Sequence, residues 1–278
     1  MIGIFHDVSH ECSRITTKRY STSFSSAIKL LHADIQGPIY DIYGLVRFAD
    51  EIVDTFHDHD KSLLLSNFKK ETYDAIERGI SLNPILHSFQ LTVNKYNIDL
   101  SLVESFFKSM EFDLEKASYD ANGYAEYIYG SAEVVGLMCL YVFCNGNQEQ
   151  YQHLRPSAQS LGSAFQKVNF LRDVSADYQQ LNRVYFPGVD FNAFTPEMKQ
   201  SIEQDIEKDF RDAYEGIVQL PLKARFGVYL AYKYYLSLFK KIKAVQPQRI
   251  LEERIRIPNY HKAWVAAKAM VRTQLNML

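Results

Sequence analysis

The sequence predicts an all-α fold, one domain spanning residues 1–278, with a central cavity between its helices. Three observations lead there. Apolar residues recur at three- and four-residue spacing along most of the chain, and no run alternates with the two-residue period of a strand. Pro38, Pro84, Pro156, Pro196, Pro221 and Pro258 lie near the edges of the periodic segments, where a helix start tolerates the missing N–H. Only 12 glycines and 8 prolines occur in 278 residues, too few for disorder or a turn-rich β-sandwich. No fixed-period repeat or low-complexity linker divides the chain.

Taken in order, the segment from Asp41 to Phe56 is helical. Leu45, Val46, Phe48, Ala49, Ile52 and Val53 cover most of its circumference, and a helix apolar on most sides is buried. Ser101 followed by Glu104 has the form of a capping box, and Phe106, Met110, Asp113 and Leu114 continue on adjacent turns. The longest apolar run, Val134 to Cys144, is 11 residues, short of the ~20 that cross a bilayer. Phe165 to Tyr178 is a second buried helix. Gly188 to Phe194 is irregular. Thr195-Pro196-Glu197 supplies a cap, a first-turn proline and a dipole-matched acid, and Ile202, Ile206, Phe210 and Tyr214 follow at helical spacing. About nine to eleven helices result.

Composition narrows the function. The 31 basic and 33 acidic side chains leave a net charge of −2, which offers nothing to attract nucleic acid. Three scattered cysteines, without a Cys-x-x-Cys pair, argue against a disulfide scaffold or a thiolate zinc site and fit a reducing compartment. The opening MIGIFHDVSHECSR lacks the basic flank and apolar stretch of a signal peptide, so a cytoplasmic protein is expected, peripheral at most on the inner membrane face.

Two polar stripes carry the chemistry. Tyr43, Arg47, Asp50 and Asp54 share one face of the first buried helix; Gln166, Asn169, Asp173 and Asp177 share one face of the second. One Asp-x-x-x-Asp is ordinary on a solvated helix. Two such pairs inside apolar helices demand a cation, because unpaired buried charge is strongly disfavoured. Oxygen-only ligands suit a hard ion such as Mg²⁺, with Mn²⁺ as a substitute, and such ions complete their shells with water and phosphate. Arg47 and Arg172 stand ready to clamp phosphate oxygens. The pattern points to metal-assisted ionisation of a diphosphate.

At these residues the sequence resembles the squalene/phytoene synthases, the head-to-head prenyl synthases of the isoprenoid-synthase fold, and within them the bacterial phytoene synthases. YSTSF, DEIVD, YIYGSAEVVGLM, NFLRDVSAD and NRVYFP carry the resemblance, from about Tyr20 to about Tyr185. It implies that Asp50 and Asp54, with Glu51 between them, form the first metal motif. Asp173 and Asp177 would form the second, assisted by Asn169. Arg47 would bind diphosphate, and Ser21, Tyr43, Tyr129, Gln166, Arg172, Arg183 and Tyr185 would line the diphosphate end or the reaction centre. Phe24 and Ile28 fall where the family places its prenyl tunnel, and an isoleucine at 28 leaves room for a C20 chain. The span from Asp177 to Arg183 is one residue longer than is common in the family.

The implied reaction joins two allylic diphosphates through a cyclopropylcarbinyl diphosphate into a 1-1′ linked hydrocarbon. Two geranylgeranyl diphosphates giving phytoene is the leading expectation. Two farnesyl diphosphates giving squalene or dehydrosqualene is the alternative, and a non-catalytic assembly factor is a third, disfavoured by intact carboxylate pairs. No Gly-x-Gly-x-x-Gly fingerprint occurs, and NADPH is not expected. His57 and His59 read as a solvated turn, Phe239 to Lys243 as the wet face of a late helix, Ile250 to Ile257 as a surface segment without chemistry, and Cys139 and Cys144 as buried apolar fillers.

Overall fold

The computed structural model describes residues 2–115, 120–181, 185–189, 191–258, 260 and 264–269, with the side chains of residues 115, 176–181 and 192 excepted. Among them the chain is helical, and no strand occurs. The helices run α1 (Ile2–Tyr20), α2 (Thr22–Ile28), α3 (Ala33–Asp54), α4 (Lys61–Arg78), α5 (Pro84–Tyr96), α6 (Leu100–Glu115), α7 (Ala121–Ile128), α8 (Val134–Cys144), α9 (Gln148–Leu181), α10 (Pro196–Ile217), α11 (Leu222–Lys243) and α12 (Pro247–Glu252). A π-helical turn, Tyr129–Glu133, joins α7 to α8 without a break.

Helix starts follow the local chemistry. Ser21 accepts from the Phe24 amide at 3.2 Å, Asp60 from Leu63 at 2.9 Å, Asp120 from Gly123 at 2.7 Å and Thr195 from Met198 at 3.3 Å. Each such cap stabilises its helix by about 1 kcal/mol. Pro84 and Pro196 occupy first-turn positions as expected. Pro38 and Pro156 do not: they lie inside α3 and α9. Each deletes one ladder hydrogen bond, a cost of roughly 3 kcal/mol that the tertiary packing of these long helices outweighs. Ser101 is not a cap either. Asp99 accepts from the Ser101 amide at 2.9 Å, and Glu104 instead receives Lys69 at 2.9 Å and the Tyr73 hydroxyl at 2.9 Å.

The helix from Ala121 to Cys144 is 24 residues long, and by length and composition it could cross a membrane. The apolar stretch thus extends beyond the 11-residue run, through the π turn. Over half of its most apolar window is buried within the protein, and Val134, Leu137, Met138, Leu140 and Val142 sit in the core. It packs against α3, α6 and α9.

α1 docks on α3 and α5 through polar contacts. Ser13 Oγ meets Ser88 Oγ at 2.7 Å, His6 meets His87 at 2.8 Å, and the fully buried Asp41 takes His10 at 2.9 Å and Thr92 at 2.8 Å. Gly44 permits this approach: a Cβ there would lie 2.6 Å from Ser13 Oγ. The C-terminal end of α1 thereby delivers Tyr20 and Ser21 to the central cavity.

Candidate active site

A cavity of about 700 Å³ opens between α2, α3, α6, the α7–α8 helix, α9, α10 and α11. Its walls are apolar in depth, with Ile28, Leu31, Leu140, Phe143, Leu154 and Leu220 among them, and charged at the mouth. Tyr43, Arg47, Asp50 and Asp54 all line it from α3, as a single helical face must. Leu45, Ala49 and Ile52 anchor the opposite side of α3 in the core, Val53 is buried on the cavity wall, and Phe48 lies against Phe68 and stays 39% exposed. From α9 come Gln166, Asn169, Arg172 and Asp173. Ser21, Phe24, Ile28 and Tyr185 complete the expected set on the walls.

Three expected residues stand apart. The side chain of Asp177 and the whole of Arg183 lie outside the described residues. Tyr129 is packed partly buried against the core and is not on the cavity wall. The cavity face of that helix is Tyr127, Ser131, Ala132, Val135 and Cys139, and a residue two positions from Tyr127 points to the opposite side. The tyrosine of this motif that reaches the cavity is Tyr127.

The α3 side of the mouth is crowded with negative charge. Burial, and then the carboxylates of Asp54 and Asp113, push Asp50 up to about 7, against the opposing pull of Arg47. Arg47 donates to Glu51, holds Nη1 3.8 Å from Asp50 and stacks its guanidinium 4.3 Å from the Tyr20 ring centroid. Its Nε is buried and has no hydrogen-bond partner, a donor awaiting an anion. Burial and the charge of Asp50 push the Tyr43 phenol up to about 12, so it is a neutral donor at physiological pH.

On the α9 side, Asp173 is bracketed by two guanidinium groups. Arg172 Nε reaches Oδ1 at 3.0 Å and its Nη2 reaches Oδ2 at 2.5 Å; Arg254 Nε approaches Oδ1 at 2.6 Å. The stretch from Ile250 to Ile257 is thus not simply a surface segment: Ile250 and Ile255 are buried, and Arg254 lines the cavity and pairs with Asp173.

Aromatic rings line the junction of mouth and depth. Tyr235 of α11 stacks on Phe165 at 3.9 Å and 18°, lies 5.8 Å from Phe24, and donates its hydroxyl to Asn169 Oδ1 at 3.3 Å. Tyr185 stacks on Phe170 at 4.0 Å and 7° and lies 5.7 Å from Tyr127. Cys139 lines the cavity wall, its thiol pushed up to about 12 by burial, while Cys144 is a buried filler as expected. His57 and His59 lie in an exposed turn; Lys240, Lys241 and Lys243 are exposed, whereas Phe239 and Ile242 of the same segment are buried in the core, so the segment is not a wet face throughout.

Sequence reasoning missed Asp113, Tyr127, Tyr235 and Arg254 as site residues. Asp113 had a signal, a lone carboxylate among Phe106, Met110 and Leu114 on a buried face. Arg254 had none.

The donor set fits a hard divalent cation. Asp50, Asp54 and Asp173 offer oxygen ligands, and Asp50 is a half-buried carboxyl whose nearest cation, Arg47, stands 3.8 Å away. Among the described residues no three His, Cys, Asp or Glu groups converge closely enough to chelate an ion unaided. A cation held here would thus draw ligands from water and phosphate.

Comparison with known proteins agrees with the geometry. The chain is 26% identical over 194 residues to the 4,4′-diapophytoene synthase of Staphylococcus haemolyticus, covering 68% of this chain and 65% of that protein. It is 24% identical over 295 aligned positions to the phytoene synthase of Arthrospira platensis, covering 96% and 94%. Its fold superposes on a dehydrosqualene synthase crystallised with a ligand at a TM-score of 0.84 and 19% identity, covering 97% of this chain and 98% of that one. The squalene synthase HpnC from Alicyclobacillus acidocaldarius superposes at 0.75 and 18% identity, covering 90% and 97%. Residues 17–261 match the family described as squalene/phytoene synthase, and by that match over most of its length the chain belongs to this family of prenyltransferases.

Proposed function

We propose that the protein is a Mg²⁺-dependent phytoene synthase that joins two molecules of geranylgeranyl diphosphate head to head. The observation that carries this reading is the pairing of two facing charged stripes, on α3 and α9, at the mouth of one deep apolar cavity. An oxygen-lined, cation-seeking mouth suits diphosphate; a dry, aromatic-walled depth suits prenyl chains and the carbocations formed from them.

Mg²⁺ held by Asp50, Asp54, Asp173 and Asp177, with Asn169 assisting, would neutralise charge growing on the departing diphosphate. Arg47, with its unpartnered Nε, and Arg172 bind diphosphate oxygens and fix the C1 carbon over the cavity. Ser21 and the neutral phenol of Tyr43 donate hydrogen bonds at the same end. Loss of the first diphosphate leaves an allylic cation that the 2,3-double bond of the second substrate attacks, and one proton leaves as the cyclopropane closes. The second diphosphate then departs, the skeleton rearranges, and a second proton leaves to form the central double bond. Ring faces of Phe24, Phe165, Phe170, Tyr185 and Tyr235 stabilise the cations, and the apolar walls keep water from quenching them.

Ile28, buried on the cavity wall, supports the C20 substrate by leaving space that an aromatic ring would fill. The farnesyl alternative draws support from the diapophytoene synthase relative and from the close superposition on a dehydrosqualene synthase. Mass analysis of the product from Mg²⁺ with either diphosphate, with and without NADPH, decides. A C40 hydrocarbon without NADPH is expected. A C30 product would replace this reading by squalene or dehydrosqualene synthesis, separated by the need for NADPH. No product from folded protein would point to a non-catalytic assembly role. A cytoplasmic site of action, with peripheral membrane contact for release of the hydrocarbon, completes the proposal.

A further inference from the structure

The segment after α12 leaves the helix in an extended conformation at Glu253 (φ −141°, ψ 146°) and carries Arg254 to the cavity mouth. Its placement is built into the fold. Ile250 is fully buried on one side of Arg254 and Ile255 is 3% exposed on the other. Lys241 Nζ donates to the Arg256 carbonyl at 2.7 Å, tying the strap to the end of α11. Between these anchors the Arg254 side chain is 46% exposed and meets Asp173, Nε to Oδ1 at 2.6 Å and Nη2 to Oδ2 at 3.4 Å.

Asp173 thus holds two guanidinium groups, each of which reaches both of its oxygens. A divalent cation approaching this carboxylate alone would meet both positive charges within a few ångströms, where repulsion is strongest. Arg172 is the next residue on the same helix, so its guanidinium remains within reach of Asp173 even when it turns toward phosphate. Arg254 arrives from 81 positions away on a solvent-exposed strap and is the one that can leave.

We propose that Arg254 is a latch that occupies Asp173 until metal and diphosphate arrive together, so that the enzyme discriminates against metal alone. This inference rests on the metal–diphosphate reading of the site. Bound diphosphate brings the negative charge that lets the guanidinium turn from Asp173 to a phosphate oxygen, freeing the carboxylate for the ion. Arg254 is a positioning residue here, and its action is a coupling between two ligands.

The test measures Mn²⁺ binding by electron paramagnetic resonance, with and without inorganic diphosphate, in the native protein, Arg254→Ala and Arg254→Lys. The native protein is expected to bind Mn²⁺ weakly alone and far more tightly with diphosphate. Arg254→Ala is expected to bind Mn²⁺ alone about tenfold more tightly than native, and to lose most of the enhancement by diphosphate. Arg254→Lys, which keeps the charge without the planar fork, falls between them and guards against a folding artefact. Equal or weaker Mn²⁺ binding by Arg254→Ala, in a protein whose native form binds Mn²⁺ with diphosphate, overturns the latch alone. Absence of Mn²⁺ binding by the native protein even with diphosphate overturns the site reading and the latch with it.

Discussion

The hydroxyl of Tyr127 donates to Asp113 from 2.9 Å of both carboxylate oxygens, a contact between α7 and α6 on the wall of the cavity. Asp113 is one of the charges that raise Asp50, so this pair joins the aromatic wall to the carboxylate mouth. Tyr127 also lies beside the stacked pair of Phe170 and Tyr185, 6.0 and 5.7 Å from their centroids. Replacing Tyr127 by Phe keeps the ring and deletes the donor. We expect kcat to fall by about a hundredfold, as for other positioned donors. Tyr129→Phe, two residues on and off the cavity wall, should change kcat by no more than about twofold. A larger loss in Tyr129→Phe than in Tyr127→Phe would give the role to Tyr129 instead.

Asp50→Asn should separate activity from stability. The carboxyl is held high by desolvation and by the neighbouring acids Asp54, Asp113 and Glu51, so ionising it in the metal-free protein is unfavourable. The amide keeps the shape and removes the charge. Turnover with Mg²⁺ should fall by about a thousandfold, and Asp173→Asn should match it. Scanning calorimetry in a chelator at pH 8 should show Asp50→Asn melting above the native protein. Full activity in either variant would refute the metal assignment.

The docking of α1 should be sensitive to pH through His10. Its hydrogen bond to Asp41 raises the imidazole above its ordinary value, while burial raises Asp41. A group whose folded value is raised stabilises fully below its unfolded value, near 6.5, and that contribution fades as pH rises through the folded value. His87, by contrast, is lowered by burial and by the facing His6 and His10, so its contribution fades as pH falls below about 6.5. Stability of this docking should therefore peak between slightly acid and neutral pH. His10→Asn should lower Tm by about 2 to 4 °C at pH 6 and by less at pH 9. A Tm difference independent of pH would show that the charge on His10 is irrelevant.

The parts of this architecture legible in the sequence are those encoded within a single helix. Asp50 and Asp54, or Asn169 and Asp173, declare a shared face because 3.6 residues per turn leave no other choice. Thr195 and Pro196 declare a helix start because both act within one turn. Contacts that depend on how helices meet were hidden. Ser101 and Asp99 are both able to cap α6, and the inward turn of Leu102 and Val103 selects Asp99. Tyr127 and Tyr129 are both tyrosines of one motif, and only packing against α6 and α9 decides which faces the cavity. Arg254 meets Asp173 across 81 residues, a distance over which periodicity carries no information.

Chain length gives the sharpest test of the cavity itself. Ile28 ends α2, is 4% exposed and lines the cavity wall. α2 has no room to retreat, because it is pressed against α11 at Gly227. A Cβ added there would lie 2.8 Å from the Ala27 carbonyl oxygen and 2.4 Å from Leu31 Cδ2. A larger side chain at position 28 must therefore project into the cavity rather than push the helix outward. Ile28→Phe adds a ring to the depth of the prenyl tunnel, with an overpacking cost of about 1–3 kcal/mol. Because α2 cannot yield, the ring should instead exclude the distal isoprene unit of a C20 chain. Formation of C40 product from geranylgeranyl diphosphate should drop at least about tenfold, while C30 product from farnesyl diphosphate is retained or increased. Unchanged C40 synthesis, in a variant whose Tm shows the ring to be accommodated, would mean that the chain runs past a different wall. Leu220 and Phe143 at the deep end would then be the residues to enlarge.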